Sequence, residues 1–334
     1  MQRCRFRDFR GRHQRHEEAA VGTKTAKFGV GKRESHDSSA FYERRLQQIA
    51  LSDETTIVRS DVRNRILTTT AENMSDLASN SVALMITSPP YHVGKEYDSD
   101  SSFEEFLVML RQVFKETYRV LEPGGRAVIN VANLGRRPYV PLSHHVTQMM
   151  LELGFFMRGE VIWQKAKGAG GSCAWGSWRS PSNPTFRDLH EYILCFSKGR
   201  FERMHRPGRA TISKEDFMRD TLSIWDIPPE SAKRVAHPAP FPVELPRRLI
   251  NLYTFENDLV LDPFMGSGST AVAAVELGRD YVGYEINAQY AAAAEDRIRN
   301  TARVISDVEA APDAAVIHPI TTRTKRQKLK LAEG

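Results

Sequence analysis

A short stretch in the first third of the chain has residue types suited to holding a ligand at the end of a strand. The apolar run at 82–87 leads into Ser88-Pro89-Pro90-Tyr91. The run predicts a buried strand, and the prolines end it because each removes a ladder donor and holds φ at about −65°. A hydroxyl, a rigid carbonyl and an aromatic ring then lie at the carboxyl end of a strand, where open α/β sheets bind ligands. Taken alone, the stretch fits equally well a strand end at which Tyr91 packs.

A second stretch, LVLDPFMGSGST at 259–270, reads as a strand, an acid, a glycine turn and a helix start. Gly266 and Gly268 permit a tight turn and let a ligand approach backbone amides at the helix N-terminus. A phosphate loop is excluded because its lysine is missing. The glycines also fit the GxGxxA dinucleotide pattern, with Glu285 ending the next strand, so a dinucleotide site is an alternative at this point.

The elements that must position these stretches alternate along the chain. Strand, helix, strand, helix and strand in succession predict a parallel sheet with helical crossovers. This alternation of strands and helices ends after residue 164, where a loop rich in Gly, Ser, Pro and Trp begins. We predict helices at 39–51, 72–77, 103–121, 144–153, 243–253, 270–277 and 288–300, and strands at 57–67 (strand or turn), 82–87, 126–131, 155–163, 190–197 with a hairpin partner at 201–205, 258–261 and 281–284; Pro123-Gly124-Gly125 would end the helix at 103–121.

Composition indicates a globular protein with basic ends. The 334 residues carry a formal charge of +6, and lysines and arginines are concentrated in the first 36 residues and the last dozen. Such a balance is compatible with a polyanionic partner. The three cysteines are far apart and show no metal-ligand spacing, which argues against a disulfide framework or structural zinc. No run is long enough to span a membrane and no signal peptide is visible, so we expect a soluble, cytoplasmic protein.

Together the two stretches resemble a known family. Asp-Pro-Phe-Met-Gly-Ser-Gly-Ser-Thr and the upstream Thr-Ser-Pro-Pro-Tyr are similar to motifs of the S-adenosylmethionine-dependent DNA methyltransferases that modify exocyclic amines. The catalytic motif precedes the cofactor motif, as in the beta group of that family. RVLEPGG, HEYILCFSKG, HPAPFP and GRDYVGYEIN add further matches, and the likeness covers about 28–300. It implies an α/β fold with a doubly wound, mostly parallel sheet of the class I methyltransferase type, permuted motif order and an inserted DNA-recognition region.

The resemblance implies a cofactor pocket for S-adenosylmethionine and no metal. It would hold the methionine part near the glycine turn, and Glu285 would accept both ribose hydroxyls. One departure concerns Thr69, since the family often has Gly-Asp there with the acid near the adenine amine; Glu72 or Asn73 are candidates to replace it. The residues implied for cofactor binding are Asp262, Phe264, Gly266, Gly268, Glu285, His237 and Phe241.

The same resemblance makes residues 88–91 catalytic. An exocyclic amine is a poor nucleophile, and acceptors placed against its hydrogens stabilise the positive charge that develops on nitrogen. Ser88 Oγ and the Pro89 carbonyl would be those acceptors, Pro90 would hold the carbonyl still, and Tyr91 would stack on a base flipped out of the duplex. Lys165, Lys167, Arg179 and Arg187 are the candidates for DNA contact, with solvated loop charges as the alternative for each.

Two features favour cytosine N4 as the target. Ser88 stands where adenine enzymes usually carry Asp or Asn, and Ala-Pro-Phe-Pro at 239–242 stands where many of them show Thr-Gln-Lys-Pro. Adenine N6 is the alternative within the family. An RNA or protein-amide methyltransferase is disfavoured because glutamine-directed enzymes usually show Asn-Pro-Pro-Tyr, and an inert DNA-binding module is disfavoured because the motifs are intact.

The expected partner is double-stranded DNA, with a cognate restriction enzyme and either a monomer or a homodimer left open. The expected domain organisation has five parts. They are a basic, disordered tail at 1–36, a catalytic half at 37–163, a target-recognition region at 164–235 that includes sheet residues 190–205, a cofactor-binding half at 236–300, and a basic tail at 301–334.

Overall fold

Eight strands in the described part of the chain form one sheet. The computed structural model describes residues 50–90, 102–134, 138–165, 181–182, 184, 186, 188–203, 208–230 and 241–310. Apart from Ala50, they belong to one structural unit, Leu51–Gly334. The strands are β1 (Arg65–Leu67), β2 (Val82–Thr87), β3 (Leu121–Val131), β4 (Phe155–Gln164), β5 (His190–Lys198), β6 (Ile224–Asp226), β7 (Leu259–Asp262) and β8 (Asp280–Tyr284). The helices are α1 (Phe103–Val120), α2 (Leu142–Glu152), α3 (Lys214–Asp220), α4 (Glu244–Tyr253), α5 (Ser269–Glu276) and α6 (Ala288–Ala310).

The strand order across the sheet is β1-β8-β7-β2-β3-β5-β4-β6. Strand β5 runs antiparallel to both of its neighbours, β3 and β4, and the other pairings are parallel. Strand β7 therefore lies directly beside β2, although the two are far apart in sequence. The predicted mostly parallel sheet with permuted motif order is confirmed.

Apolar side chains cover both faces of the sheet. Along β2, Met85 packs into one cluster with α1 and α2, whereas Leu84 and Ile86 pack into another with α4, α5 and α6. This alternation follows from the two-residue period of a strand. Both faces of β2 are buried, as expected for a central strand of a doubly wound sheet.

Helix α1 begins as the sequence predicts. Ser102 caps it in a capping box with Glu105, and Phe106, Leu110 and Phe114 form its buried stripe. The predicted start of the next strand is wrong, however, because β3 begins at Leu121 and includes Pro-Gly-Gly. These residues form an irregularity in β3, where the pairing with β2 shifts between Val82 and Leu84.

Three further differences concern local structure. The predicted helix at 72–77 is a series of turns, because the Asn73 carboxamide oxygen accepts a hydrogen bond from Ser75 N and competes with helix formation. Residues 201–203 do not form a hairpin partner for β5, since β3 and β4 already occupy both of its sides. Helix α6 runs ten residues past Asn300, whereas its side chains in the buried cluster, Ala291, Ala294 and Ile298, all lie before that residue.

Helix α3 and strand β6 were not predicted. Ser213 caps α3 by accepting from Asp216 N, and the helix has only seven residues, too few for a clear period. Strand β6 has three residues and pairs at the sheet edge with β4. In the described ranges no helix combines the length and apolar character needed to cross a membrane.

Candidate active site at the carboxyl ends of β2 and β7

The two stretches singled out in the sequence leave the sheet side by side. Strands β2 and β7 are parallel neighbours, with Leu84 opposite Val260 and Met85 opposite Leu261. Residues 88–90 follow β2, and the glycine turn at 263–268 follows β7. The corner and the turn therefore share one edge of the sheet.

The side chain of Asp262 connects these elements, and the residue is only 1% exposed. Its Oδ1 accepts from the Thr87 hydroxyl at 2.7 Å and from the Phe264 amide at 3.1 Å. Its Oδ2 accepts from the Thr270 hydroxyl at 2.6 Å. The carboxylate thus joins the end of β2, the turn and the start of α5.

Burial raises the pKa of Asp262 to about 6. The Thr270 and Thr87 hydroxyls and the Phe264 amide act in the opposite direction because they stabilise the charged form. The nearby negative charge of Glu285 adds to the increase. The low dielectric of the site outweighs three hydrogen bonds, and the group titrates close to neutral pH.

The glycine turn has the backbone that its sequence requires. Gly266 and Gly268 have φ values of 51° and 79°, which L side chains rarely adopt. A Cβ on Gly268 would lie 2.9 Å from the Ala294 Cβ on α6. Gly266 N donates to Glu285 Oε2 at 2.8 Å, so the acid that directly follows β8 lies against the turn.

Phe264 and Phe241 are the aromatic residues near the turn. Phe264 is partly buried against the cluster on the α1 side of the sheet. Phe241 is 9% exposed, and its carbonyl accepts from Ser269 Oγ at 2.9 Å. The segment that precedes α4 is thereby tied to the start of α5.

A polar chain leads away from Ser88 on the other side of the corner. Asn130 Nδ2 lies 3.4 Å from Ser88 Oγ and donates to Glu191 Oε2 at 2.5 Å. Glu191 Oε1 forms an ion pair with Lys165 Nζ, and this ammonium lies 5.2 Å from the centroid of the Trp163 ring. The Glu191 side chain is 7% exposed, so the polar chain that begins at Ser88 contains a buried carboxylate.

The chain is identified by comparison with known proteins. A family model for DNA methylases of the N6/N4 type matches residues 82–296, which is more than half of the chain. The protein belongs to this DNA methylase family. It is accordingly a DNA amino-methyltransferase of the N4/N6 type.

Similar proteins agree with this assignment. The Type II methyltransferase M.MjaI of Methanocaldococcus jannaschii is 30% identical over 280 residues, covering 70% of the methylase and 91% of its own chain. The Thermus thermophilus protein TTHA0409, solved in complex with S-adenosyl-L-methionine, is 32% identical with a TM-score of 0.60, covering 72% and 94% of the two chains. The cytosine-N4-specific PvuII DNA methyltransferase has the same fold, with a TM-score of 0.55, 20% identity, and coverage of 75% and 94%.

Several predicted site residues of the methylase can be located. The structure places Ser88 directly after β2, the strand beside β7, and it places Glu285 against Gly266 in the turn. The sequence analysis missed Thr87, which contacts Asp262, and Asn130 and Glu191, which continue the polar chain from Ser88. The sequence signal that could have found these three residues is a polar residue within an otherwise apolar strand. Tyr91, His237, Lys167, Arg179, Arg187 and most of the two tails lie outside the described residues.

The remaining candidates have partners within the methylase. Lys165 pairs with Glu191, the Glu72 carboxylate accepts from the Thr70 hydroxyl at 3.0 Å, and Asn73 Oδ1 accepts from a turn amide. Among the residues that the structure describes, no group of three or more His, Cys, Asp or Glu side chains is arranged to hold a metal ion.

Proposed function

We propose that this methylase transfers a methyl group from S-adenosylmethionine to the exocyclic N4 amine of a cytosine flipped out of double-stranded DNA. The observation that carries the proposal is the adjacency of two strand ends. A serine-headed acceptor corner follows β2, and a glycine turn flanked by an acid follows β7 one strand away. An amine and a methyl donor bound at these two places would meet at one edge of the sheet.

The residues at the turn fit the proposed cofactor. Both oxygens of Glu285 accept backbone amides, from Gly266 N at 2.8 Å and Asn287 N at 2.9 Å. A carboxylate has about four acceptor positions, so two are left to receive ribose hydroxyls. Gly266 and Gly268 have no side chains that would block a ligand at their positions in the turn, and Phe264 and Phe241 would enclose the remainder of the cofactor. When bound, S-adenosylmethionine supplies an electrophilic methyl group on a sulfonium.

The corner supplies acceptors for a poorly nucleophilic amine. Ser88 Oγ and the Pro89 carbonyl would each accept one N–H of the cytosine amine and so stabilise positive charge as it develops on nitrogen. The two prolines fix the backbone, so little ordering is left for the transition state. Transfer needs no covalent bond between enzyme and base.

Glu191 would set the orientation of the Ser88 hydroxyl through Asn130. An ionised carboxylate only accepts hydrogen bonds, so it must face the amide nitrogen of Asn130. The same nitrogen is then directed towards Ser88 Oγ at 3.4 Å. Lys165 neutralises the buried carboxylate, which would otherwise be costly to keep ionised. We therefore assign Lys165 to this support rather than to DNA.

DNA binding would involve the region between β4 and α4. Base flipping costs a few kcal/mol, which stacking and phosphate contacts must offset. We propose Tyr91 as the stacking residue and Lys167, Arg179 and Arg187 as phosphate contacts, in a recognition region at 164–235. Site specificity would arise there from contacts to base edges.

The experiment is nucleoside mass spectrometry of DNA from cells that lack their own methylation and express the full chain. We expect N4-methylcytosine. Finding only N6-methyladenine would refute the base assignment and leave the family assignment intact. Ser88→Ala should lower the transfer rate by about 100-fold, the scale of losing one preorganised hydrogen-bonding group at a reacting centre.

A matched control lies on the same strand. Ser81, just before β2, is 2% exposed, and its hydroxyl donates to the Ala78 carbonyl at 2.7 Å at the opposite end of the sheet. Ser81→Ala removes a hydroxyl from a residue that is more deeply buried than Ser88 and lies far from the corner, and it should retain activity. Equal losses in the two variants would show that Ser88 acts only through stability.

A further inference from the structure

The hydroxyl of Thr87 links the two halves of the proposed site. Thr87 is the last residue of β2 and is fully buried, and Asp262 is the last residue of β7. Their hydrogen bond, Thr87 Oγ1 to Asp262 Oδ1 at 2.7 Å, spans 175 residues of sequence. Thr87 is bonded directly to Ser88, and Asp262 Oδ1 also accepts the Phe264 amide within the turn.

We propose that Thr87 is a positioning residue for methyl transfer. Its hydrogen bond to Asp262 fixes the separation between the amine acceptors at the corner and the cofactor turn. This inference rests on the proposed function, because it concerns the same site. In this proposal Thr87 contacts neither the base nor the cofactor.

The direct pairing between β2 and β7 stops short of the corner and the turn. The paired residues of β2 and β7 end at Met85 and Leu261. Beyond them, the side-chain hydrogen bond from Thr87 to Asp262 joins the two strands. A displacement of 1 Å at a reacting centre can cost about 100-fold in rate, so a bond at this point controls turnover even though it is remote from the reacting atoms.

A purely structural role makes a different prediction. If Thr87 only satisfies a buried carboxylate, its loss lowers stability and leaves turnover by the folded protein unchanged. Asp262 would keep Thr270 and the Phe264 amide as donors in a Thr87 variant, so the turn retains two of its three hydrogen bonds. We expect Thr87→Val to fold, because valine has nearly the same shape as threonine.

Turnover is measured as tritium transferred from labelled S-adenosylmethionine to DNA, a readout that does not depend on which base is modified. For Thr87→Val we expect kcat to fall by about 10- to 100-fold, the range for losing a hydrogen bond to a charged group, with KM for DNA and for S-adenosylmethionine changed less than about threefold. Thr87→Ser restores the hydroxyl and should recover most of kcat. Thr87→Ala tests the same loss with less steric demand if the valine variant does not fold.

The control is Thr117→Val in α1. Thr117 is also fully buried, and its hydroxyl makes one hydrogen bond, to the Val113 carbonyl at 2.9 Å. This variant should keep its kcat. A second readout uses the protein without cofactor: hydrogen exchange at 259–272 should accelerate in Thr87→Val and not in Thr117→Val.

Three kinetic results would overturn the proposal. They are a normal kcat in Thr87→Val, a loss that appears only in KM, and a failure of Thr87→Ser to recover activity. Each is distinct from failure of the proposed function, since a methylase that modifies adenine would give the same variant-to-wild-type ratios. Unchanged hydrogen exchange at 259–272 would equally refute a link between β2 and the turn.

Discussion

Replacing Asp262 by asparagine should change how stability depends on pH. Asparagine has the same shape and can keep all three hydrogen bonds, since its oxygen accepts from Thr87 and Phe264 N and its nitrogen can donate to Thr270. It cannot ionise. Comparing the unfolding free energies of wild type and Asp262→Asn at several pH values therefore isolates the cost of keeping a negative charge in a site that is almost fully buried.

The magnitude follows from the pKa. Burial raises the pKa of Asp262 from 3.8 to about 6 in the folded protein, and each factor of ten in the dissociation constant is worth about 1.4 kcal/mol. This increase in the pKa therefore corresponds to about 3 kcal/mol of unfolding free energy. Because the folded pKa is the higher one, this stabilisation is complete below the unfolded pKa and is lost as the pH rises through 6.

The assay is urea unfolding at pH values from about 4.5 to 7.5. Over this window wild type should lose about 2 kcal/mol of unfolding free energy relative to Asp262→Asn, most of it below about pH 6.5. Asp61→Asn, which removes an exposed carboxylate, controls for the loss of one negative charge. A constant difference would mean that the three donors balance the effect of burial, and a relative gain by wild type as the pH rises would mean that they outweigh it; either result would refute the reasoning.

Two further predictions test the turn and the polar chain. Gly268→Ala should destabilise the fold by about 1–3 kcal/mol in thermal unfolding, because the new Cβ meets Ala294 at a positive φ, and unaltered stability would contradict the strained turn. Lys165→Gln should lower kcat while leaving the salt dependence of DNA binding unchanged, because the ammonium serves Glu191; a salt slope smaller by about one would instead identify a phosphate contact.

Local patterns in the sequence were sufficient to predict the central elements of the fold. Strand β2 and the turn after β7 are short, apolar and punctuated by proline or glycine, so composition alone predicts them. Helix α1 has a full buried stripe and a capping box. Strand β6 and helix α3 are too short to show a period, and the extension of β3 depends on pairing across an irregularity, which no local window contains.

The residues of the candidate site likewise divide into those that local sequence patterns predict and those that depend on distant pairing. Ser88 and Glu285 stand in recognisable motifs, and sequence reasoning predicted them. The contacts of Thr87, Asn130 and Glu191 follow only from the strand order. Strands β2 and β7 must be adjacent before Thr87 can meet Asp262, and β3 must lie between β2 and β5 before Asn130 can meet Ser88 and Glu191. The contact of Lys165 with a buried acid was missed for the same reason, because a lysine beside a polar loop reads as solvated.

The adjacency of β2 and β7 has a consequence for how such enzymes diversify. The chain that leaves the corner at Pro90 returns to the neighbouring strand only at Leu259. The entropy of closing a flexible loop grows slowly with its length, by about 0.6 kcal/mol for each doubling. The connections between elements of this intervening region, such as the one between β4 and β5, can therefore lengthen, shorten or be exchanged at small thermodynamic cost while the packed strands and helices and the joined ends of β2 and β7 stay in place. In the proposed recognition region, new recognition sequences can arise in this way without rebuilding the proposed active site.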